Sequence, residues 1–326
     1  MERSTIGVLL GLGAGLLWGT VFVAPQLLPS FGPVEVALGR YFLYGVFSAG
    51  LLVAWGLQRS GRKSLLATGK KAWPVALAFA FSGNVGMYLL LVLGIRLAGA
   101  PVATALIGTV PVTVAVAGNL LEREFPWRRL ALPLALILPG LLAINLAGAG
   151  PGAPSGGGRL LGLLCVLGTV GLWTFYGVAN ARFLRANPSV SGLAWSTMVG
   201  VATLALVVLA VPLVALLDPG AVGFRQLVHP GARLAWFVAV SAFLGVVVSW
   251  GGTLLWNGAS ARLPTSLAGQ LVGSEILAGL FYVFVANGRL PSILELGGIL
   301  AVVSGVAIGI RRAGAPSPGA ETGPYA

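Results

Sequence analysis

Two stretches decide the reading of this chain: Leu16-Leu17-Trp18-Gly19-Thr20 and Gly171-Leu172-Trp173-Thr174-Phe175. Each opens a series of apolar segments, and the second series repeats the first. Trp173 follows Trp18, and Pro188 follows Pro33, by the same 155 positions (173 − 18 and 188 − 33). Late in each series, Leu138-Pro139-Gly140 is answered by Val303-Ser304-Gly305. Each series contains five segments. A chain that crosses a bilayer five times ends on the opposite face, so the second copy must lie upside down relative to the first. Inverted repeats are a construction of secondary transporters, which hold substrate near the bilayer midplane between the halves. The pattern points to a carrier.

Composition agrees. With 57% hydrophobic and 9% charged residues and a mean hydropathy of +0.95, the chain lies far outside the soluble range. A spanning helix takes roughly 20 mostly apolar residues. Segments of that kind cover 5–24, 33–56, 72–95, 99–121, 128–147, 160–184, 190–216, 233–257, 262–287 and 292–310. The expected fold is an all-α membrane protein, ten transmembrane helices forming two inverted five-helix repeats around a central cavity. Long unbroken apolar runs exclude a transmembrane barrel, whose strands alternate. The expected divisions are a first repeat at 1–147, a flexible Gly/Pro/Ser-rich linker at 148–159, a second repeat at 160–312 and a disordered cytoplasmic tail at 313–326. Only Arg3 precedes the first segment as a base and no A-x-A cleavage site follows it, so this segment reads as a retained span.

The formal charge of +12 invites a polyanion partner, but its placement answers otherwise. With a cytoplasmic N-terminus, the inner side collects Arg3, Arg59, Arg62, Lys63, Lys70, Lys71, Arg123, Arg128, Arg129, Arg182, Arg185, Arg262, Arg311 and Arg312. The outer side holds Arg96, Arg159, Arg225, Arg233 and Arg289. That bias follows the positive-inside rule and puts both termini in the cytoplasm of a bacterial inner membrane. The charge is a topology signal, and no nucleic-acid partner is expected. One cysteine, Cys165, and one histidine, His229, leave no material for a disulfide framework or a Cys/His metal site. No G-x-x-x-x-G-K-[ST] sequence occurs, so ATP is not the driver and no cofactor is expected.

Glycine recurs every four residues at Gly7, Gly11, Gly15 and Gly19, and small residues do so at Gly297, Ala301, Gly305 and Gly309. Such stripes let helix backbones approach closely. They serve either packing within one chain or the contact of a homodimer.

Among the acidic residues Glu275 alone falls in mid-span. A charge there costs about 2.5–3.5 kcal/mol on insertion scales, so it needs a partner, a wet cavity or a proton. Glu275 is the candidate for proton coupling or for binding a substrate ammonium; the competing reading is a protonated packing residue. Arg40 lies close enough to the outer end of its helix to snorkel or to meet a carboxylate. Polar and aromatic side chains share helix faces at i, i+3 and i+4: Thr169, Trp173, Tyr176 and Asn180 in the sixth span, Asn84 and Tyr88 in the third, Gln270 and Ser274 in the ninth. Trp250 adds a ring in the eighth, and Trp18 matches Trp173 across the repeat. Turned inward, Trp18, Asn84, Tyr88, Trp173, Tyr176, Trp250, Gln270 and Ser274 would suit a substrate with an apolar body and polar ends. Pro101 and Pro264 head the fourth and ninth spans at matching places and are candidate hinges.

At these residues the chain resembles the drug/metabolite transporter superfamily, in its ten-helix EamA branch. The first-helix signature is similar to Leu17-Trp18-Gly19-Thr20-Val21-Phe22, the second-helix proline and arginine to Pro33 and Arg40. The fourth-helix proline and terminal acids match Pro111 and Glu122-Arg123-Glu124, and the small-residue turns of the fifth and tenth helices match Pro139-Gly140 and Ser304-Gly305. Trp195 stands where the second copy would carry the arginine, and Gly288 near where a helix-terminal acid would lie. The resemblance implies alternating-access export of a small amphiphilic metabolite across the bilayer, in some members an aromatic amino acid. Nucleotide-sugar or sugar-phosphate carriage is the rival cargo, and a non-transporting scaffold the rival role.

Overall fold

The computed structural model describes residues 3–56, 69, 71–147, 158–218, 220 and 232–313. Residues 148–157 of the expected linker (148–159) and 314–326 of the expected tail (313–326) lie outside the described residues, as does His229, while 159 and 313 belong to helices. Ten membrane helices follow the expected spans to within a turn. They are α1 Arg3–Gly19, which continues as the tighter 3-10 turn Thr20–Val23, and α2 Pro33–Gly56. Next come α3, in the pieces Ala72–Ala80, Phe81–Val85 and Gly86–Ala98, and α4, in the pieces Ala100–Ile107 and Val110–Glu122. Then follow α5 Trp127–Ala147, α6 Arg159–Ala186 and α7 Gly192–Leu217. The last are α8, in the pieces Ala232–Ala242, Phe243–Gly251 and Gly252–Ser260, then α9 Thr265–Asn287 and α10 Ile293–Ala313.

Local chemistry explains the ends and breaks. Ser191 caps α7 by accepting from the Ala194 N–H at 3.1 Å, and Glu35 accepts from the Gly32 N–H at 2.8 Å at the head of α2. Gly99, with φ 92°, makes the tight passage from α3 to α4 that an L side chain would resist. Pro111 has no N–H to give the carbonyl one turn back, and α4 is interrupted at Gly108–Thr109, immediately before it. At the break the Leu106 carbonyl accepts from both the Thr109 N–H at 3.0 Å and the Thr109 hydroxyl at 2.6 Å. Pro111 thus stands in the first turn of the second piece, whereas Pro133 and Pro139 stay inside α5. The middle pieces of α3 and α8 are wide π turns, one in each half at the corresponding helix.

Packing repeats as the sequence does. α2 pairs with α7, α4 with α9 and α5 with α10. α1 packs on α8 and α9 as α6 packs on α3 and α4, and α2 meets α8 as α7 meets α3. The set maps onto itself when each helix is exchanged for the one five places on. α9 is the most enclosed, with 56% of its apolar window buried inside the protein against 33% for α2. It and α1, α3, α4, α6 and α8 surround the centre, flanked by the α2–α7 and α5–α10 pairs.

The glycine stripes are taken up inside the chain. A Cβ on Gly7 would lie 2.7 Å from Leu263, on Gly11 2.7 Å from Leu271 and on Gly19 2.7 Å from the Gly279 nitrogen, so α1 lies flat on α9 and the turn before it. On Gly305 it would lie 2.8 Å from the Pro133 carbonyl of α5, while Gly297 has open space. Gly305→Leu is therefore expected to destabilise the fold by at least about 1–3 kcal/mol, the usual cost of overpacking. A lower Tm for Gly305→Leu beside an unchanged one for Gly297→Leu, by thermal unfolding in detergent, checks this.

Candidate functional site

Where the two halves meet, three tryptophans converge. Trp18 of α1, Trp173 of α6 and Trp256 of α8 have ring centroids 6.2 Å (18–173), 5.7 Å (18–256) and 6.0 Å (173–256) apart. Tyr176 lies edge-on to Trp173 at 5.9 Å and to Phe79 of α3 at 5.9 Å. Two glycines make room for these rings. A Cβ on Gly83 would meet the Tyr176 ring at 2.9 Å, and one on Gly252 the Trp18 indole at 2.7 Å. Trp256 is 1% exposed, and its indole N–H has no hydrogen-bond partner among the described residues.

A polar wall stands beside the rings. Arg40 of α2 donates from Nε to Ser249 Oγ at 2.6 Å, and Ser249 donates in turn to the Leu244 carbonyl at 2.8 Å within the π turn of α8. The guanidinium carbon lies 5.2 Å from the Tyr41 ring centre, and Tyr41 is edge-on to Tyr88 at 6.3 Å. Glu275 of α9 is partly buried, and the charge of Arg40 acts on it. It makes no hydrogen bond and no ion pair within 4.0 Å among the described residues. Its own backbone nitrogen would lie 3.0 Å from a Cβ on Gly15, one turn from Trp18.

The other sequence candidates divide. Tyr88 joins the polar wall through Tyr41, and its hydroxyl donates to the Pro33 carbonyl at 3.0 Å in an exposed position. Asn84, in the π turn of α3, donates to Thr203 Oγ1 at 3.0 Å. Trp250 follows Ser249, with its ring 5.3 Å from Phe47 and its N–H 3.4 Å from Thr197 Oγ1. Gln270 and Ser274 are not brought to the group. Gln270 is buried against Gly309 of α10 and donates to the Ser266 carbonyl at 3.2 Å; Ser274 packs on Gly15 of α1 and donates to the Leu271 carbonyl at 2.7 Å. Their face of α9 is the one that α1 and α10 cover. Pro264 is the extended residue preceding α9 (φ −54°, ψ 141°), and Pro101 lies in the first turn of α4. Neither interrupts a helix from within.

Spacing gave no sign of the closure at the end carrying both termini. Arg185 of α6 pairs with Glu122 of α4, and donates to the Leu263 carbonyl at 3.1 Å and to Thr265 Oγ1 at 2.7 Å. Glu124 accepts from the Thr265 N–H, from the Ser266 N–H at 2.7 Å and from the Ser266 hydroxyl at 2.6 Å, capping α9. Burial, together with its hydrogen bond to Glu122, pushes the Glu124 carboxyl above the usual carboxylate range. Towards the centre lies an amide layer: Asn180 to Asn257 at 2.8 Å, Asn257 to Ser196 at 2.8 Å and Trp195 Nε1 to Asn180 at 2.8 Å, each residue at most 1% exposed. Trp195, where the arginine of the second copy would stand, thus belongs to this layer, while Arg40 is held by Ser249. Trp256 did have a sequence signal: Leu254-Leu255-Trp256 repeats Leu16-Leu17-Trp18.

Known proteins agree with this frame. The EamA-like transporter family matches residues 5–146, the first five helices. The Inner membrane protein YtfF of Escherichia coli (strain K12) is 35% identical over 317 residues, covering 94% of this chain and 95% of that protein. A crystal structure shares the fold with a TM-score of 0.69 at 21% identity, covering 94% of this chain and 98% of that one. With ten membrane helices, a repeated packing scheme and a relative matched along almost its whole length, the chain is a multi-pass membrane protein that belongs to the EamA-like transporter family.

Proposed function

We propose that this transporter exports amino acids with apolar or aromatic side chains, by alternating access around the tryptophan group. The observation that carries the reading is the convergence of Trp18, Trp173, Trp256 and Tyr176, with one mid-span acid, Glu275 on α9, and one mid-span base, Arg40 on α2. The substrate ammonium would meet Glu275, its carboxylate Arg40, and its side chain the rings. Trp256 supplies a free N–H donor. Sugar phosphates would ask for several cavity-facing bases, and Arg40 is the one base in mid-span. The charge bias assigns the end with both termini to the cytoplasm of an inner membrane. In that orientation Arg185, Glu122 and Glu124 would hold the cytoplasmic end together. Protons carried by Glu275, or the substrate gradient alone, would drive export.

Flux of labelled phenylalanine into proteoliposomes, with and without an imposed pH gradient, tests this reading. Saturable flux above that of empty liposomes supports it; none, from folded protein, refutes it. Trp173→Ala is expected to raise the half-saturating concentration of phenylalanine by about tenfold, since aromatic pairs are worth about 0.5–1.5 kcal/mol and tenfold is 1.4 kcal/mol. The same change should move that of alanine far less. Equal shifts for both would place the ring outside the binding site.

A further inference from the structure

At the end that carries both termini, a cleft of about 580 Å³ opens between the start of α1, the end of α6 and its turn into α7, the end of α8 and the lead-in to α9. Three arginines line it, Arg3, Arg185 and Arg262, and no acidic side chain does. Leu184 and Leu263 give it apolar walls, and Asn257 joins it to the buried amide layer. Arg185 is committed to Glu122, Thr265 and the carbonyls of Ser260 and Leu263. Arg262 is exposed and uses one nitrogen, on its own helix's Gly258 carbonyl at 2.8 Å, and Arg3 is exposed with no ion pair to a described acid. Two guanidiniums therefore border an apolar-walled cleft with donors to spare, and a guanidinium holds a carboxylate by paired charge-assisted hydrogen bonds.

We propose that this cleft is a second, entry-side binding site, in which Arg3 and Arg262 capture the carboxylate of an amphiphilic substrate before the Asn180–Asn257 layer parts. The inference rests on the reading that the cargo bears a carboxylate and leaves from this end. Its position supports entry: the cleft lies at the ends of α1, α6 and α8, the helices that carry Trp18, Trp173 and Trp256, and Asn257 of the amide layer forms part of its wall. The same chemistry would hold the phosphate of an anionic lipid, which the test separates.

The probe is 4-fluorobenzoate, followed by fluorine NMR line broadening on the full-length protein in neutral detergent. Saturable binding is expected, weakened about tenfold or more in Arg3→Gln/Arg262→Gln. It should persist in Arg40→Gln/Glu275→Gln, which removes the charges of the central site. Arg3→Gln alone, at an exposed position, carries the test should the double variant fail to fold. Binding that survives the loss of both cleft arginines, or that is lost only with Arg40 and Glu275, overturns the proposal. Displacement of the probe by a few molecules of phosphatidylglycerol per protein would also overturn it, assigning the cleft to lipid. The readout requires no transport. A failure of phenylalanine flux with cleft-dependent binding intact would count against the cargo, not against the cleft.

Discussion

Glu275→Gln is expected to lower phenylalanine flux by at least about tenfold and to remove its response to a pH gradient. The substitution keeps the side chain's shape and takes away its charge and its exchangeable proton. Losing the partner of a substrate ammonium forfeits a charge-assisted interaction worth roughly 1.5–3 kcal/mol, and 1.4 kcal/mol is tenfold. Folding should survive, because Glu275 gives up no hydrogen bond and no direct ion pair among the described residues, and a carboxylate inside the bilayer is itself a cost. Flux in proteoliposomes at several imposed gradients, with Tm measured alongside, is the check. A variant that transports at the wild-type rate and still responds to the gradient would remove Glu275 from the mechanism.

Arg185→Gln should open the end that carries the termini. This side chain ties α4, α6 and the start of α9 together through Glu122, Thr265 and two backbone carbonyls. Its loss leaves Glu122 with the longer pair to Arg182 at 3.6 Å and the Thr265 hydroxyl at 3.1 Å, and removes the direct tie between α6 and the start of α9. Because one charge-assisted bond is worth about 1.5–3 kcal/mol, the open population should rise at least about tenfold. Ser260, at 0% exposure in the closed form, is the reporter. In a Cys165→Ser background, Ser260→Cys should resist a water-soluble maleimide, and react at least about tenfold faster once Arg185→Gln is added. Equal rates would show that the network does not hold this end shut.

Much of this architecture was legible in the sequence because a bilayer leaves the backbone few choices. Every buried N–H and C=O must be satisfied inside its own segment, so an apolar run such as Gly192–Leu217 has no alternative to a helix. The Leu-Trp-Gly-Thr and Gly-Leu-Trp-Thr repeat then gave the pairing of the halves. Trp18, Trp173 and Tyr176 were legible as candidates because aromatic rings recur on helical faces. Spacing along one helix says which residues share a face, but not what covers it. That is why Gln270 and Ser274, on one face of α9, turn out to be packed against the small residues Gly309 and Gly15. It is also why the Arg185–Glu122–Glu124 network emerges only in three dimensions: its members lie in helices far apart in the chain. The sequence by itself determined that there are ten helices, that they fall into two matching sets, and that one acid and one base are in mid-span. Tertiary structure alone decided that Trp18, Trp173 and Trp256 converge, that Arg40 meets Ser249, and that Arg185, Glu122 and Glu124 tie α4, α6 and the start of α9 together, because those facts depend on how helices rotate and cross.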